Sequence, residues 1–139
     1  MAYWLFKSEP DTWSWDDQVA KGEAGEEWDG VRNYQARNNM REMKLGDLGF
    51  FYHSVNEKRI VGIVKVCKEI HPDSTTDDAR WECVDIKAVS PVPRPVTLAE
   101  IKAEEKLAEF ALVKQSRLSV VPVAAKEWQL ICKMAEYKG

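Results

Sequence analysis

The segment 59–70 constrains the fold more than any other part of the sequence, because its first half is apolar at consecutive positions. Residues 60–64 carry only aliphatic side chains and one glycine. Successive side chains of a strand point to opposite faces, so a strand that is apolar on both faces must be covered on both. This predicts a central position in a sheet. The segment 81–90 alternates instead, with Val84, Ile86 and Ala88 on one face, which is typical of a half-buried strand.

The remaining segments place further strands and helices around this centre. Ser14 and Thr97 each begin a sequence that resembles a capping box and predicts a helix start. Three prolines at positions 91, 93 and 95 are expected to end the strand 81–90. The predicted strands are 2–7, 48–54, 59–70, 81–90 and 117–121. The predicted helices are 14–21, part of 31–44, 97–110 in either continuous or broken form, and 124–136, and 22–30 is predicted to be an exposed loop.

These elements define the fold class as α/β (α+β), a twisted, mixed and partly closed β-barrel of five to six strands flanked by helices. The 139 residues fit a single domain, 1–139, which is long enough to bury a core without disulfides or metals. Trp4, Phe6, Phe50 and Trp128 are assigned to that core.

The overall charge limits how the chain can bind nucleic acid. The net charge is −3 and the isoelectric point is about 5.5. Affinity for bulk nucleic acid comes mainly from Lys and Arg side chains that neutralise phosphates, so an acidic chain is a poor non-specific binder. Any nucleic-acid binding therefore requires a local basic patch and a specific pocket.

The cysteines bear on the compartment and on metal binding. Cys67, Cys83 and Cys132 form no Cys-x-x-Cys pair, which indicates reduced thiols in a reducing compartment. A zinc site from Cys67, His71 and Cys83 would have the wrong spacing, so we expect no metal and no cofactor. The N-terminal apolar run is too short for a signal peptide, and no run reaches the length of a membrane span. We expect a cytoplasmic protein that acts as a monomer without a membrane partner.

Several long motifs occur in the order that is typical of one family. They are 3–10 (Tyr-Trp-Leu-Phe-Lys-Ser-Glu-Pro), 28–38 (Trp-Asp-Gly-Val-Arg-Asn-Tyr-Gln-Ala-Arg-Asn), 46–47, 51–54 and 117–120 with Pro122 and Trp128. On these motifs the chain resembles the EVE-domain family over nearly its whole length, and it has the compact length of the bacterial members. The resemblance implies a PUA-like β-barrel related to PUA, ASCH and YTH domains, which bind RNA or modified bases. It also implies recognition of modified cytosine in DNA by flipping it into a pocket.

The same motifs supply the groups that a base pocket needs. A flipped base presents two π faces for stacking and a polar edge for hydrogen bonds. The ring faces are expected from Trp28, Tyr34 and Tyr52, although a place in the core is the alternative interpretation for Trp28. The polar contacts are expected from Lys7, Ser8, Asn33, Asn38, His53 and Ser54, and further lining from Val31, Arg117, Leu118 and Ser119.

A basic stripe follows the central motif. If residues 33–44 are helical, Asn33, Arg37, Arg41 and Lys44 fall on one face. With Arg32, these basic side chains are predicted to bind the nucleic-acid backbone on either side of the flipped nucleotide. Residues 31–44 hold four basic groups against one Glu, whereas residues 9–29 hold eight acids against one Lys. A merely solvated helix face is the alternative interpretation.

Three functions remain open on the sequence. The leading hypothesis is a non-enzymatic reader of a modified base, with modified cytosine in DNA favoured over RNA. The second is a small hydrolase of modified nucleosides, similar to ASCH relatives, with Lys7 and Glu9 as base and acid. His53 and Ser54 are adjacent on a strand and point to opposite faces, so they cannot form a nucleophile–base pair. The third is an interaction module whose pocket takes a small ligand.

Overall fold

The computed structural model describes residues 1–138 and confirms the mixed α/β fold class. Its strands are β1 (Tyr3–Ser8), β2 (Glu26–Glu27), β3 (Leu48–His53), β4 (Arg59–Pro72), β5 (Glu82–Thr97) and β6 (Val120–Val123). Its helices are α1 (Trp15–Ala20), α2 (Tyr34–Arg41), α3 (Leu98–Ala103), α4 (Ala111–Lys114) and α5 (Ala125–Met134). None of the helices described is both long and apolar enough to cross a membrane.

All six strands belong to one sheet, in the order β2-β5-β4-β3-β1-β6. β1 runs parallel to β3, and every other pair of neighbours is antiparallel. β4 lies in the interior of the sheet between β5 and β3, as its apolar residues on both faces predicted. Within residues 1–138 the edge strands β2 and β6 do not pair with each other, so the sheet stays open.

The three prolines do not end β5, contrary to the expectation from the sequence. Gly62 pairs with Pro91 and Ile60 pairs with Val96, so residues 92–95 form a bulge between two paired positions. Pro93 and Pro95 lie in this bulge, where the ladder requires no N–H group from them. The Arg94 N–H in the same bulge donates to the Ala135 carbonyl at 3.0 Å, which joins β5 to the end of α5.

Two other segments differ from their predicted form, and the helical segment 97–110 takes the broken form of its two predicted alternatives. The predicted helix 97–110 is divided, because Glu104 is extended and its side chain accepts from Lys106 N, which starts a separate 3-10 turn (Glu105–Leu107). The predicted loop 22–30 contains a 3-10 turn (Gly22–Ala24) and the short strand β2. The last strand begins at Val120 rather than at residue 117.

The core lies between the sheet and the helices. The four core assignments are confirmed, since Trp4, Phe6, Phe50 and Trp128 are all buried. The Trp128 ring of α5 stacks on Phe50 of β3 with centroids 4.1 Å apart. Burying an indole requires a partner for its N–H, and the buried Asp47 carboxylate accepts from Trp4 Nε1 at 3.1 Å.

Candidate nucleic-acid site

A cleft of about 580 Å³ opens beside the carboxyl end of β1. Three parts of the chain that lie far apart in sequence line it. They are the end of β1 with the turn after it, the segment around β2, and the residue before β6. The lining residues are Lys7, Ser8, Glu9, Thr12, Trp13, Glu26, Glu27, Trp28, Asp29, Gly30, Val31, Arg32 and Ser119.

Trp28 forms part of the cleft and is also a core residue. Only 8% of it is exposed, and its ring meets the rings of Phe6 and Phe51 edge-on at centroid distances of 5.4 and 5.8 Å. Its backbone N–H donates to Val84 O of β5 at 2.8 Å. The two interpretations of Trp28 from the sequence are therefore compatible, because one edge of a core residue reaches the cleft.

The side chains at the end of β1 connect the cleft to distant segments. Lys7 Nζ donates to the Ser116 carbonyl at 2.8 Å, and the Lys7 N–H donates to Ser119 O at 3.0 Å. Burial lowers the pKa of Lys7. Ser8 Oγ donates to the Trp13 carbonyl at 2.5 Å, which fixes the turn that brings Trp13 to the cleft. These contacts orient the amine of Lys7 and commit the Ser8 proton to a carbonyl.

Four carboxylates give the cleft an acidic lining, namely Glu9, Glu26, Glu27 and Asp29. Burial, reinforced by the negative charge of Asp73, raises the pKa of Asp29. Carboxylates accept hydrogen bonds from amino groups and repel phosphates. The cleft is therefore suited to a neutral ligand that carries N–H donors, and the phosphate backbone is expected to remain outside it.

Asp73 is buried and does not line the cleft, but it accepts hydrogen bonds from residues that do. Its carboxylate accepts from the Gly30 N–H at 2.9 Å, from Arg32 Nη1 at 3.1 Å, and from the N–H and hydroxyl of Thr75. Burial alone would raise the pKa of Asp73, but the hydrogen bonds from Thr75, Gly30 and Arg32 outweigh it and lower that pKa to about 2. This ionised carboxylate fixes the backbone of the segment between Trp28 and Arg32.

The lowered pKa of Asp73 predicts a pH-dependent contribution to stability. Its ordinary pKa is 3.8 and its folded pKa is about 2, so the contribution is complete above pH 3.8 and is lost as pH falls through 2. The difference corresponds to about 2 kcal/mol of unfolding free energy. Asp73→Asn should lower the unfolding free energy at pH 7. It should also reduce the fall of the unfolding free energy between pH 4 and 2, measured by urea unfolding across that range. An unchanged pH profile would contradict this role.

Several residues predicted to line the pocket lie outside the cleft. Asn33 caps α2, where its Oδ1 accepts from Ala36 N at 2.9 Å, and it borders a separate depression of about 320 Å³. Arg117 and Leu118 line that depression as well. Asn38 lies on the exposed face of α2. The structure does not bring these four residues into the cleft, because helix capping and the turn before β6 direct them elsewhere.

The predicted residues of β3 and Tyr34 also lie outside the lining. Tyr52 pairs in register with Lys7 but is buried, and burial raises its pKa to about 12. His53 is buried, with Nε2 accepting from the Trp15 N–H at 3.0 Å and Nδ1 2.9 Å from a Glu57 oxygen. The Ser54 N–H donates to Ser8 O, and the Tyr34 ring stacks on Trp81, outside the cleft lining. Tyr52 and His53 are therefore buried parts of the fold beside the cleft, and none of these four residues lines it.

The predicted basic residues differ in how far carboxylates neutralise them. Arg32 contacts Asp73, and Arg41 Nε lies 2.5 Å from a Glu82 oxygen. Arg37 donates to the Asn38 side chain and to a carbonyl, and Lys44 has no ion pair within 4.0 Å in residues 1–138. Arg37 and Lys44 therefore keep the charge that a phosphate contact requires.

One cluster of potential metal ligands occurs among the residues described. Donor atoms of Glu27, His71 and Cys83 lie within 4.8 Å of one another, whereas Cys67 is not part of the group. Cys83 Sγ donates to a Glu27 oxygen at 3.4 Å, and His71 Nε2 lies 2.7 Å from an Asp85 oxygen. Each of the three side chains therefore has a hydrogen-bond partner within the protein.

The sequence interpretation missed Trp13, Glu27 and Asp73. Trp13 lies between the predicted strand 2–7 and the predicted helix 14–21, and Glu27 lies in the predicted exposed loop. A tryptophan in a turn and an acid three residues before Gly30 are the only local signals that mark them. Asp73 acts on residues more than 40 positions away, and no local pattern reveals that contact.

Comparison with known proteins gives a consistent result. The model of the EVE domain matches residues 2–134. Thymocyte nuclear protein 1 from Mus musculus is 36% identical over 166 residues, covering 96% of this chain and 74% of that protein. The crystal structure of protein Atu2648 from Agrobacterium tumefaciens is 57% identical with a TM-score of 0.97, covering 99% of this chain and 94% of that one. Human THYN1 protein in complex with DNA containing 5-methylcytosine is 33% identical with a TM-score of 0.93, covering 100% of both chains.

Proposed function

Because the chain belongs to the EVE-domain family, we propose that it is a non-enzymatic nucleic-acid reader that holds a flipped, modified cytosine of DNA in the cleft between Lys7 and Trp28. The observation that carries the proposal is the complex of human THYN1 protein with DNA containing 5-methylcytosine, since the protein chain in that structure shares this fold over its whole length. Residues of this chain provide further support in three respects: the size, the apolar wall and the acidic edge of the cleft.

The cleft has the size and the apolar surface that a base requires. Its volume of about 580 Å³ lies within the range of small-ligand pockets, roughly 300–1,000 Å³. Trp13, Trp28 and Val31 provide rings and an aliphatic group for the faces of a base. Full burial of one methyl group contributes about 0.8 kcal/mol, or about a fourfold preference over the unmodified base. Shape alone therefore supports a modest discrimination.

The acidic edge favours cytosine over a phosphate or an anionic ligand. Asp and Glu side chains accept hydrogen bonds from the exocyclic amino group of cytosine. Glu9 and Asp29, which line the cleft, are candidates for that contact, and the Lys7 amine is a donor for the base carbonyl. We propose that the nucleic-acid backbone is contacted by Arg32, Arg37, Arg41 and Lys44. Of these, only Arg32 lines the cleft, and the other three lie outside its acidic lining.

Val31→Ala tests the cleft as the site of modification recognition. Fluorescence anisotropy would compare oligonucleotides that are identical except for one 5-methylcytosine. We expect the native chain to prefer the methylated strand by at least about fourfold, and the variant to lose most of that preference because it removes two methyl groups from the wall. Val89→Ala is the matched control, since Val89 is exposed on β5 and does not line the cleft.

Two further measurements, of competition by a free nucleoside and of turnover, separate the alternative functions. Excess 5-methylcytidine should compete for the native chain and be recovered unchanged. Equal affinity for the two strands, with no competition by the nucleoside, would overturn the reader proposal. Conversion of an acetylated nucleoside to product would support the hydrolase alternative with Lys7 and Glu9.

A further inference from the structure

Two aromatic side chains stack on the surface next to the cleft. The Tyr34 and Trp81 rings lie 5.0 Å apart at an interplanar angle of 24°. Tyr34 is 50% exposed, and Trp81 is partly exposed. A stacked pair that buries so little surface contributes little to the core, so its position calls for another explanation.

Three arginines lie over these two rings. Arg37 Cζ is 4.9 Å from the Tyr34 centroid, and the Cζ atoms of Arg32 and Arg80 are 5.5 and 6.0 Å from the Trp81 centroid. We call these five residues, Arg32, Trp81, Tyr34, Arg37 and Arg80, the arginine–aromatic ladder. Cation–π contacts at such distances hold a guanidinium group in place without neutralising its charge.

The ladder leaves one guanidinium group available for an anion. Arg32 and Arg80 have carboxylate partners in Asp73 and Asp78. Arg37 donates to the Asn38 amide oxygen through Nε and Nη2 and to the Arg80 carbonyl through Nη1. These acceptors are neutral, and they use three of the five N–H groups of arginine. Arg37 therefore retains its charge and two donors in a fixed orientation, which is the arrangement that binds a phosphate.

The ladder is continuous with the cleft. Arg32 lines the cleft and also lies over Trp81, and Trp81 in turn stacks on Tyr34, which carries Arg37. Each step in this series spans 4.9–5.5 Å. A nucleic-acid strand with one base in the cleft would therefore have its neighbouring phosphates close to the ladder.

We propose that the arginine–aromatic ladder is a second nucleic-acid subsite, which binds the phosphodiester backbone beside the nucleotide held in the cleft. Trp81 and Tyr34 are positioning residues that orient Arg37 and Arg32 before the strand binds. The proposal rests on the proposed function of the cleft. The ladder binds phosphates and not a second base, because the rings already contact each other and the guanidinium groups, and a base would have to displace an arginine.

The test measures the affinity for oligonucleotides and for free 5-methylcytidine at several salt concentrations. Trp81→Ala should weaken binding of methylated and unmethylated oligonucleotides alike, by about three- to tenfold. Arg32 loses the ring that it lies over, and Tyr34, which lies under Arg37, loses its stacking partner. Arg37→Gln removes the charge, and the slope of log affinity against log salt should become shallower by about one unit. Arg37→Gln should not change the affinity for free 5-methylcytidine, which carries no phosphate.

Arg59→Gln is the matched control, since Arg59 is an exposed arginine paired with Glu57 at the start of β4, outside both subsites. It should leave both affinities and the salt slope unchanged. If Trp81→Ala lowers the melting temperature, Arg37→Gln decides the matter, because its side chain lies at the surface and not in the core. Native salt slope and affinity in Arg37→Gln would overturn the ladder proposal while leaving the cleft intact. Failure of the native chain to bind the nucleoside or a methylated strand preferentially would instead reject the proposed function.

Discussion

Trp28→Ala should lower the unfolding free energy by about 3–5 kcal/mol, a large part of the roughly 5–15 kcal/mol typical of a domain. The reason is burial: the ring packs edge-on against Phe6 and Phe51, and alanine would leave a cavity between them. Urea unfolding monitored by circular dichroism measures the loss. A variant with native stability would show that the ring lies outside the core.

The less disruptive variant Trp28→Phe separates the two roles of this residue. Phenylalanine keeps most of the packing against Phe6 but shortens the edge that reaches the cleft. We therefore expect a small loss of stability, on the order of 1 kcal/mol, and a larger loss of affinity for methylated oligonucleotides. Unchanged affinity would mean that the base does not contact Trp28.

Gly25→Ala should be strongly destabilising, because it combines an unfavourable backbone conformation with a steric clash. Gly25 has φ 69° and ψ −170°, a region that side chains other than glycine avoid. A Cβ there would lie 2.6 Å from the Ile86 carbonyl oxygen and 2.7 Å from Cys67 Sγ. Strain and overpacking together should cost about 2–6 kcal/mol, measured as a shift of the urea midpoint.

Gly22→Ala is the control for the Gly25 variant. Gly22 also has a positive φ, of 57°, but a Cβ there would meet nothing within 4 Å. Only the strain of the positive φ remains, which should lower the unfolding free energy by about 1–2 kcal/mol. Equal losses in the two variants would contradict the close approach of Gly25 to β5. Because β2 follows Gly25 directly, Gly25→Ala should also displace Glu27 and Trp28, which line the cleft.

Most of the fold could be predicted from the sequence because its strands carry strong patterns. The apolar residues on both faces of β4 and the alternation at the start of β5 indicated their places in the sheet. β2 could not be predicted, since a strand of two residues leaves no pattern. The continuation of β5 past Pro91 was missed, because a bulge that depends on pairing with β4 removes the need for proline N–H groups.

The candidate site was predictable only as far as the motifs reached. Lys7, Ser8, Trp28, Val31, Arg32 and Ser119 meet at one cleft, and their roles in binding stay a prediction. Tyr52 shows why a motif alone does not identify the residues that line a cleft. It pairs with Lys7 in the sheet, but its side chain is buried and does not reach the lining. Asp73 shows the opposite case, in which a residue outside every motif supports the wall through long-range hydrogen bonds.

The position of β1 between β3 and β6 determines the order in which the molecule can assemble. β1 pairs with β3 on one side and with β6 on the other, where Tyr3 faces Val123. Contacts between segments so distant in sequence form late, because closing the intervening loop costs entropy first. During synthesis, the edge of β1 that pairs with β6 remains unpaired until β6 has emerged. The Lys7 contacts to Ser116 and Ser119 form at that same late stage, so a nascent chain completes its cleft only when its last strand docks.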